Sequence, residues 1–260
     1  MLTTEFDHFF ERYSQHLNKP RLLREEVEQK SVGFFLGSFK PPHVGHFNAA
    51  EKGASENDEF HVIISPGFRG MTKEDQKLYT RIKRRRYDIK KKNRNRQDPS
   101  HKDYGKPLTP LRGVLDQIKE MEKTMIQPMQ SKLIWDEYLK AMMGNIEVHS
   151  IEGTEFQDPV KYTEFLIRNY ANQPGAENTH IKLYIGEDDI AKGDPRNAPL
   201  KSVEGLGSIS EVPALRSHSA TDAREAIVNG DKESFLASQP ERPGINKDYI
   251  WDILYDNVSY

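Results

Sequence analysis

The chain has 260 residues, enough for one large α/β domain or for a core domain carrying a substantial insertion. With 35% hydrophobic and 30% charged residues, no cysteine and no run approaching the roughly eighteen apolar residues of a bilayer span, it excludes disorder throughout, a disulfide framework, a thiol nucleophile and a thiolate metal site. The net charge of −2 hides an asymmetry: residues 81–106 hold twelve Lys or Arg against three Asp, about nine positive charges, so the rest of the chain carries about eleven negative ones.

The start, MLTTEFDHFF, lacks the basic-then-apolar pattern of a secretory signal, so the expectation is a soluble, cytoplasmic protein with no membrane partner. Phe6, Phe9, Phe10 and Tyr13 fall on a helical stripe that Pro20 interrupts and Leu23 and Val27 resume, predicting an N-terminal helical extension over 1–30. VGFFLG at 32–37 is short and apolar throughout, which suits a buried parallel strand. A helix follows from His46 to about Ala54, and FHVIIS at 60–65 is a second strand, closed by Pro66 and Gly67.

The α/β rhythm then stops. Residues 68–107 are mostly charged and polar, with Tyr79, Ile82, Tyr87 and Ile89 as sparse anchors. Thr109-Pro110 predicts a helix entry, a hydroxyl cap before a first-turn proline, with Leu111, Leu115, Ile118 and Met121 as the apolar face. Leu133, Trp135, Tyr138, Leu139 and Met142 predict a helix over 132–143.

IEVHSI at 146–151 returns to strand character, and Asp158-Pro159 opens a helix that turns Val160, Phe165, Leu166 and Tyr170 inward. IKLYIG at 181–186 is the clearest later strand and runs into Glu187, Asp188 and Asp189. A loop rich in Gly, Pro and Lys over 190–208 precedes a shorter strand at 209–215, and SATDAREAI at 219–227 and INKDYIWDILYDN at 245–257 predict the last helices. Short apolar strands alternating with helices predict a Rossmann-like open, mainly parallel sheet with helices on both faces. The division expected is a core over 31–67 and 132–230, a basic and helical insertion over 68–131, and a C-terminal helical segment over 231–260.

Ligands of such sheets bind beyond the carboxyl ends of the strands, where three segments would meet. In FFLGSFKPPHVGH, at 34–46, the chain turns at Gly37, is stiffened by Pro41 and Pro42, and sets His43 and His46 at i and i+3 around Gly45. Orphan N–H groups and the positive end of a helix dipole favour an anion there, and two imidazoles suit a phosphate chain. Spacing alone leaves open a packed histidine pair and, less favoured, a zinc pair.

GSFKPPHVGH resembles the GxFxPxHxGH signature of the nucleotidylyltransferase superfamily, and its PPHxGH form is most similar to nicotinate or nicotinamide mononucleotide adenylyltransferases. Lys40 departs from the Asp or Asn common in several branches. The resemblance implies that His43 and His46 contact the triphosphate and stabilise the transferring phosphoryl group, with Gly37, Ser38, Phe39, Lys40 and Gly45 in the same pocket. SHSATDAREAI at 217–227 resembles the family's ISxTxxR element, implying that Ser219, Thr221 and Arg224 surround the β- and γ-phosphates; an ordinary capping box of Ser219 with Asp222 is the alternative. IGEDD at 185–189 resembles its GxD element, implying that Gly186 and Asp188 hold the nucleoside.

The implied reaction is in-line attack of an acceptor phosphate on the α-phosphorus of ATP or CTP, with AMP and a mononucleotide acceptor first. Cytidylyl transfer and pantetheine-phosphate adenylylation are the enzymatic alternatives. Mg²⁺ would be carried mainly by nucleotide phosphates, with no protein ligand named. A serine hydrolase has no GxSxG support. IKRRRYDIKKKNRNRQ at 82–97 reads first as a solvated surface insertion and second as a contribution to anionic substrate binding; nucleic-acid binding is the least favoured alternative, without an RRM, KH or zinc-finger pattern behind it. Homo-oligomerisation is left open.

Overall fold

In the computed structural model of the chain, the described residues are 29–152, 154–156, 158–191, 197–214 and 219–255, with the backbone alone at 188 and 189. The N-terminal helix expected over 1–30 lies outside them up to residue 28, and Lys30 already belongs to the first strand.

Five parallel strands form one open sheet: β1 (Lys30–Gly37), β2 (Glu59–Ile64), β3 (Ile146–Ser150), β4 (Thr179–Gly186) and β5 (Ser208–Ala214), in the order β3-β2-β1-β4-β5. The fold is the Rossmann-like α/β class that the strand-helix rhythm implied. Chain order reverses direction between β1 and β4, so the connections leaving their carboxyl ends diverge and open a crevice.

Both faces of the sheet are covered, which is why the strands read as apolar runs rather than alternations. On one side α1 (Val44–Ser55), α4 (Pro128–Leu139), α8 (Ala220–Val228), α9 (Lys232–Ala237) and α10 (Lys247–Tyr255) contribute to a core containing Phe35, Phe47, Trp135, Tyr138, Ile227 and Trp251. On the other, α5 (Pro159–Ala171) packs Leu166 and Ile167 against Val32, Phe34, Ile181 and Leu183. Asp158 caps α5, accepting from the Val160 N–H at 2.9 Å, as its Asp-Pro start implied. Among the described residues no helix is long and apolar enough to cross a membrane.

The charged stretch after β2 is ordered as helix. Thr72 and Asp75 form a capping box at the head of α2 (Lys73–Gln97), which pairs with α3 (Arg112–Lys123) around Tyr79, Val114, Ile118 and Met125. Tyr79, Ile82 and Ile89 face this small core, but Tyr87 is 65% exposed, because it stands one residue off their stripe. Thr109 is not a cap. The helix starts at Arg112, and Thr109 is held instead by Asn93, its N–H donating to Oδ1 at 2.8 Å, and by Arg96 at 2.9 Å. The excursion closes at its base, where the Arg69 and Ile126 N–H groups each donate to the other's carbonyl, at 3.1 and 2.9 Å.

α4 begins at Pro128, four residues earlier than its apolar spacing implied. Proline occupies the first turn, where its missing N–H costs nothing. Met142 lies beyond its end and Leu133 faces outward, 37% exposed.

Candidate active site

β1 ends at Gly37, and the Phe39 ring lies where a side chain at Gly37 would stand: a Cβ there would meet it at 2.7 Å. Phe39 itself adopts φ 46°, in the left-handed region that bulky residues rarely visit. Its surroundings hold it there. Its carbonyl accepts from the Ser131 hydroxyl of α4 at 2.7 Å, and its ring meets Trp135 and His46 edge-on at 5.4 and 5.0 Å. The turn is thus fixed by a helix residue that arrives 92 positions later in the chain.

His43 is the N-cap of α1, and its Nδ1 accepts from the Gly45 N–H at 3.1 Å. In the neutral ring that leaves the proton on Nε2. The two imidazoles stack with centroids 3.8 Å apart and planes 31° from parallel. The i, i+3 spacing therefore does place both rings together at the head of the helix.

The late helix reaches the same turn. Ser219 caps α8 by accepting from the Thr221 N–H at 3.1 Å, so the bond goes to the second helical residue and not to Asp222 as a capping box requires. Arg224 is buried; its Nη1 donates to the Lys40 carbonyl at 2.8 Å and its Nη2 to the Thr221 hydroxyl at 3.0 Å. Lys40 is buried too, and its ammonium donates to the Ser65 carbonyl just past β2 at 2.6 Å. Burial pushes the Lys40 ammonium down to about 8, with the Glu152 carboxylate opposing and the Arg69 guanidinium adding to the shift. Burial, with Arg69 again adding, lowers Arg224 to about 10, which keeps it charged at neutral pH.

These groups border a cavity of about 980 Å³ above the carboxyl ends of β1, β2 and β4. Its wall includes Gly37, Ser38, Phe39, Lys40, Gly45, His46, Gly186, Thr221 and Arg224. His43 is buried beside His46 rather than on the wall, and Ser219 is exposed at the helix start, off the wall. Asp188 falls in the short helix α6 (Glu187–Ala191) that follows β4 directly; its side chain lies outside the described residues.

Sequence reasoning allowed the 82–97 segment a part in binding an anionic substrate without singling out Lys83, and it did not point to Arg69, Glu152, Asp158 or Asn197; Arg69 and Lys83 bring two further cations to the wall. Both come from the charged stretch, where nothing in a linear run of lysines and arginines marks which ones will turn inward. Lys40, Arg69, Lys83 and Arg224 outnumber Glu152 and Asp158, so the cavity suits a polyanion, and its volume is at the upper end of small-molecule sites.

The chain matches no protein-family model and no curated protein. Among solved structures it is similar to a protein described as a nicotinate-nucleotide adenylyltransferase from Vibrio parahaemolyticus, at 13% identity and TM-score 0.43, covering 86% of this chain and 98% of that one. It is also similar to the NadR protein in complex with NR, at 17% identity and TM-score 0.41 over 77% of this chain and 42% of that one. A third is a bifunctional NMN adenylyltransferase/ADP ribose pyrophosphatase from Francisella tularensis, at 11% identity and TM-score 0.45 over 88% and 53%. The chain thus spans about half the length of the last two, and at such low identity and overlap what the site does has to be argued from its own residues.

Proposed function

We propose that the chain is a nucleotidylyltransferase that transfers AMP from ATP to a phosphorylated acceptor, nicotinamide or nicotinate mononucleotide, with release of pyrophosphate. The observation that carries this reading is the bond from Arg224 to the Lys40 carbonyl, which sets two motifs 184 residues apart against one cationic cavity. The triphosphate lies along the turn after β1, with His46 and the start of α1 on one side and Thr221 and Arg224 on the other. An oxygen of the acceptor phosphate attacks the α-phosphorus, a new P–O bond forms, and the bond to the pyrophosphate oxygen breaks. No protein nucleophile is needed; position and charge compensation lower the barrier.

His43, its proton held on Nε2 by the Gly45 bond, orients the stack that presents His46. The donor set of the cavity is mostly cationic, with Glu152 and Asp158 as the described carboxylates on its wall. That fits Mg²⁺ carried mainly by phosphate oxygens; Glu152 is a carboxylate of the wall that could help hold it, and the ion would add charge compensation at the triphosphate.

The test crosses ATP and CTP with a panel of acceptors: nicotinamide and nicotinate mononucleotides, phosphopantetheine, glycerol 3-phosphate and sugar phosphates. Pyrophosphate should form with ATP and a pyridine mononucleotide. Turnover with CTP and glycerol 3-phosphate, or with ATP and phosphopantetheine, would redirect the assignment to those transferases. The exposed face of α2, with Tyr87 among its lysines and arginines, supports nucleic-acid binding as the alternative. That alternative expects salt-sensitive RNA affinity and no pyrophosphate with any pair.

Lys40 gives the reading a pH signature. Its ammonium attracts phosphate only while protonated, so ATP affinity should hold up to about pH 8 and fall above it. Lys40→Arg, which stays charged, should remove that alkaline fall in a calorimetric titration. The stability sign is opposite: the depressed folded value makes the unfolded chain bind more protons between about 8 and 10.5, so this group's contribution rises with pH across that window.

A further inference from the structure

Away from the cavity, on the face covered by α5, three side chains of β2 and the edge strand β3 converge. His61 of β2 and Glu147 of β3 are register partners, and His149 follows Glu147 by two, so all three leave the sheet on one side. Their ligand atoms form a small triangle. His61 Nδ1 is 3.0 Å from His149 Nε2, and Glu147 Oε2 is 3.5 Å from each. Nitrogen and oxygen atoms bonded tetrahedrally to zinc at about 2.0–2.1 Å stand about 3.3–3.4 Å from one another. The edges of the triangle straddle that spacing.

The outer nitrogens of both rings are held. His61 Nε2 is 2.8 Å from the Tyr170 hydroxyl, and that hydroxyl donates its own proton to the Glu59 carboxylate. Glu59 is ion-paired with Lys30 at 2.6 Å, so it is an acceptor only. Tyr170 must then accept from the Nε2–H of His61, which leaves Nδ1 of the neutral ring as a bare lone pair aimed into the triangle. His149 Nδ1 stands 3.2 Å from the Tyr162 hydroxyl. Bonds of this kind fix ring orientation and tautomer at metal-bound histidines.

His61 is 2% exposed and stacks on Phe34 at 4.9 Å, so its ring cannot swing away. The Glu147 side chain is 59% exposed, which gives an entry path and room for solvent on the carboxylate side. A hydrogen bond from His149 Nε2–H to the His61 Nδ1 lone pair would also account for their 3.0 Å separation, and it is the alternative that the metal titration tests.

We propose that His61, Glu147 and His149 bind one divalent transition metal, zinc by preference, with solvent as the fourth ligand. Two imidazoles and a carboxylate suit zinc and its neighbours over Mg²⁺ or Ca²⁺, which take oxygen donors. The ion ties the edge strand β3 to β2 and, through Tyr162 and Tyr170, to α5. It does not depend on the transferase reading.

The test uses the full chain, stripped with a chelator and titrated with Co²⁺ while the d–d absorption is followed, then back-titrated with Zn²⁺. One Co²⁺ per chain should bind with a tetrahedral band that Zn²⁺ abolishes, and Zn²⁺ should raise the melting temperature. Glu147→Ala, at an exposed position that leaves the core intact, and Tyr170→Phe should each weaken binding by about 10–100-fold, and His149→Ala should remove it. His101→Ala, outside the cluster, should change nothing. Absence of a tetrahedral band, or equal affinity in wild type, Glu147→Ala and His149→Ala, would overturn the site and leave a hydrogen-bonded histidine pair.

Discussion

Replacing His46 with alanine should lower the rate of pyrophosphate formation by about 10²–10³-fold, the effect of deleting one preorganised donor at a centre where negative charge develops. His46 is the informative member of the pair because it lines the cavity and is not a helix cap. His43→Ala would also remove the acceptor for the Gly45 N–H and cost about 1 kcal/mol of stability, mixing two effects. The loss at His46 should appear mainly in kcat, since an interaction that strengthens in the transition state contributes little to ground-state binding. Steady-state kinetics beside a thermal melt make the comparison. A variant that turns over within a few-fold of wild type, or whose loss follows its unfolding, would remove His46 from the chemistry.

Arg224 should show a split between charge and shape. Arg224→Ala leaves the buried Lys40 carbonyl without its donor, which costs about 1–3 kcal/mol of stability, and should also lower kcat/KM for ATP by about 100-fold. Arg224→Lys keeps a cation in place. A single ammonium, however, cannot serve the Lys40 carbonyl, the Thr221 hydroxyl and a phosphate in the forked geometry the guanidinium provides. The lysine variant should therefore recover most of the stability measured by urea unfolding and still lose about ten-fold or more in kcat/KM. Were activity to return with stability, Arg224 would be a strut of the turn and not a ligand of the nucleotide.

Local chemistry was legible in the sequence. The apolar runs became strands, Asp158 and Ser219 became caps, and the histidine spacing became a stacked pair. Each of those depends on residues within a turn or two of one another. Features set by distant partners were not legible. Arg69 and Lys83 reach the cavity because of how the α2–α3 arm returns to the sheet, and Tyr87 faces water because a helical stripe misses it by one position. The helix expected from residue 132 starts instead at Pro128, whose place in the first turn the apolar spacing does not show. The triangle at His61, Glu147 and His149 exists only through the register of β2 against β3, which no local pattern states.

The reciprocal bonds between Arg69 and Ile126 have a consequence for how such a chain could diverge. An excursion that leaves and rejoins the body through one two-bond neck can lengthen, shorten or be exchanged while the strands keep their register. Yet Arg69 stands in that neck and also on the cavity wall. Changes far out on the arm would therefore reach an anion held in the cavity through Arg69 and Lys83, so that substrate preference could drift without any substitution in the turn after β1.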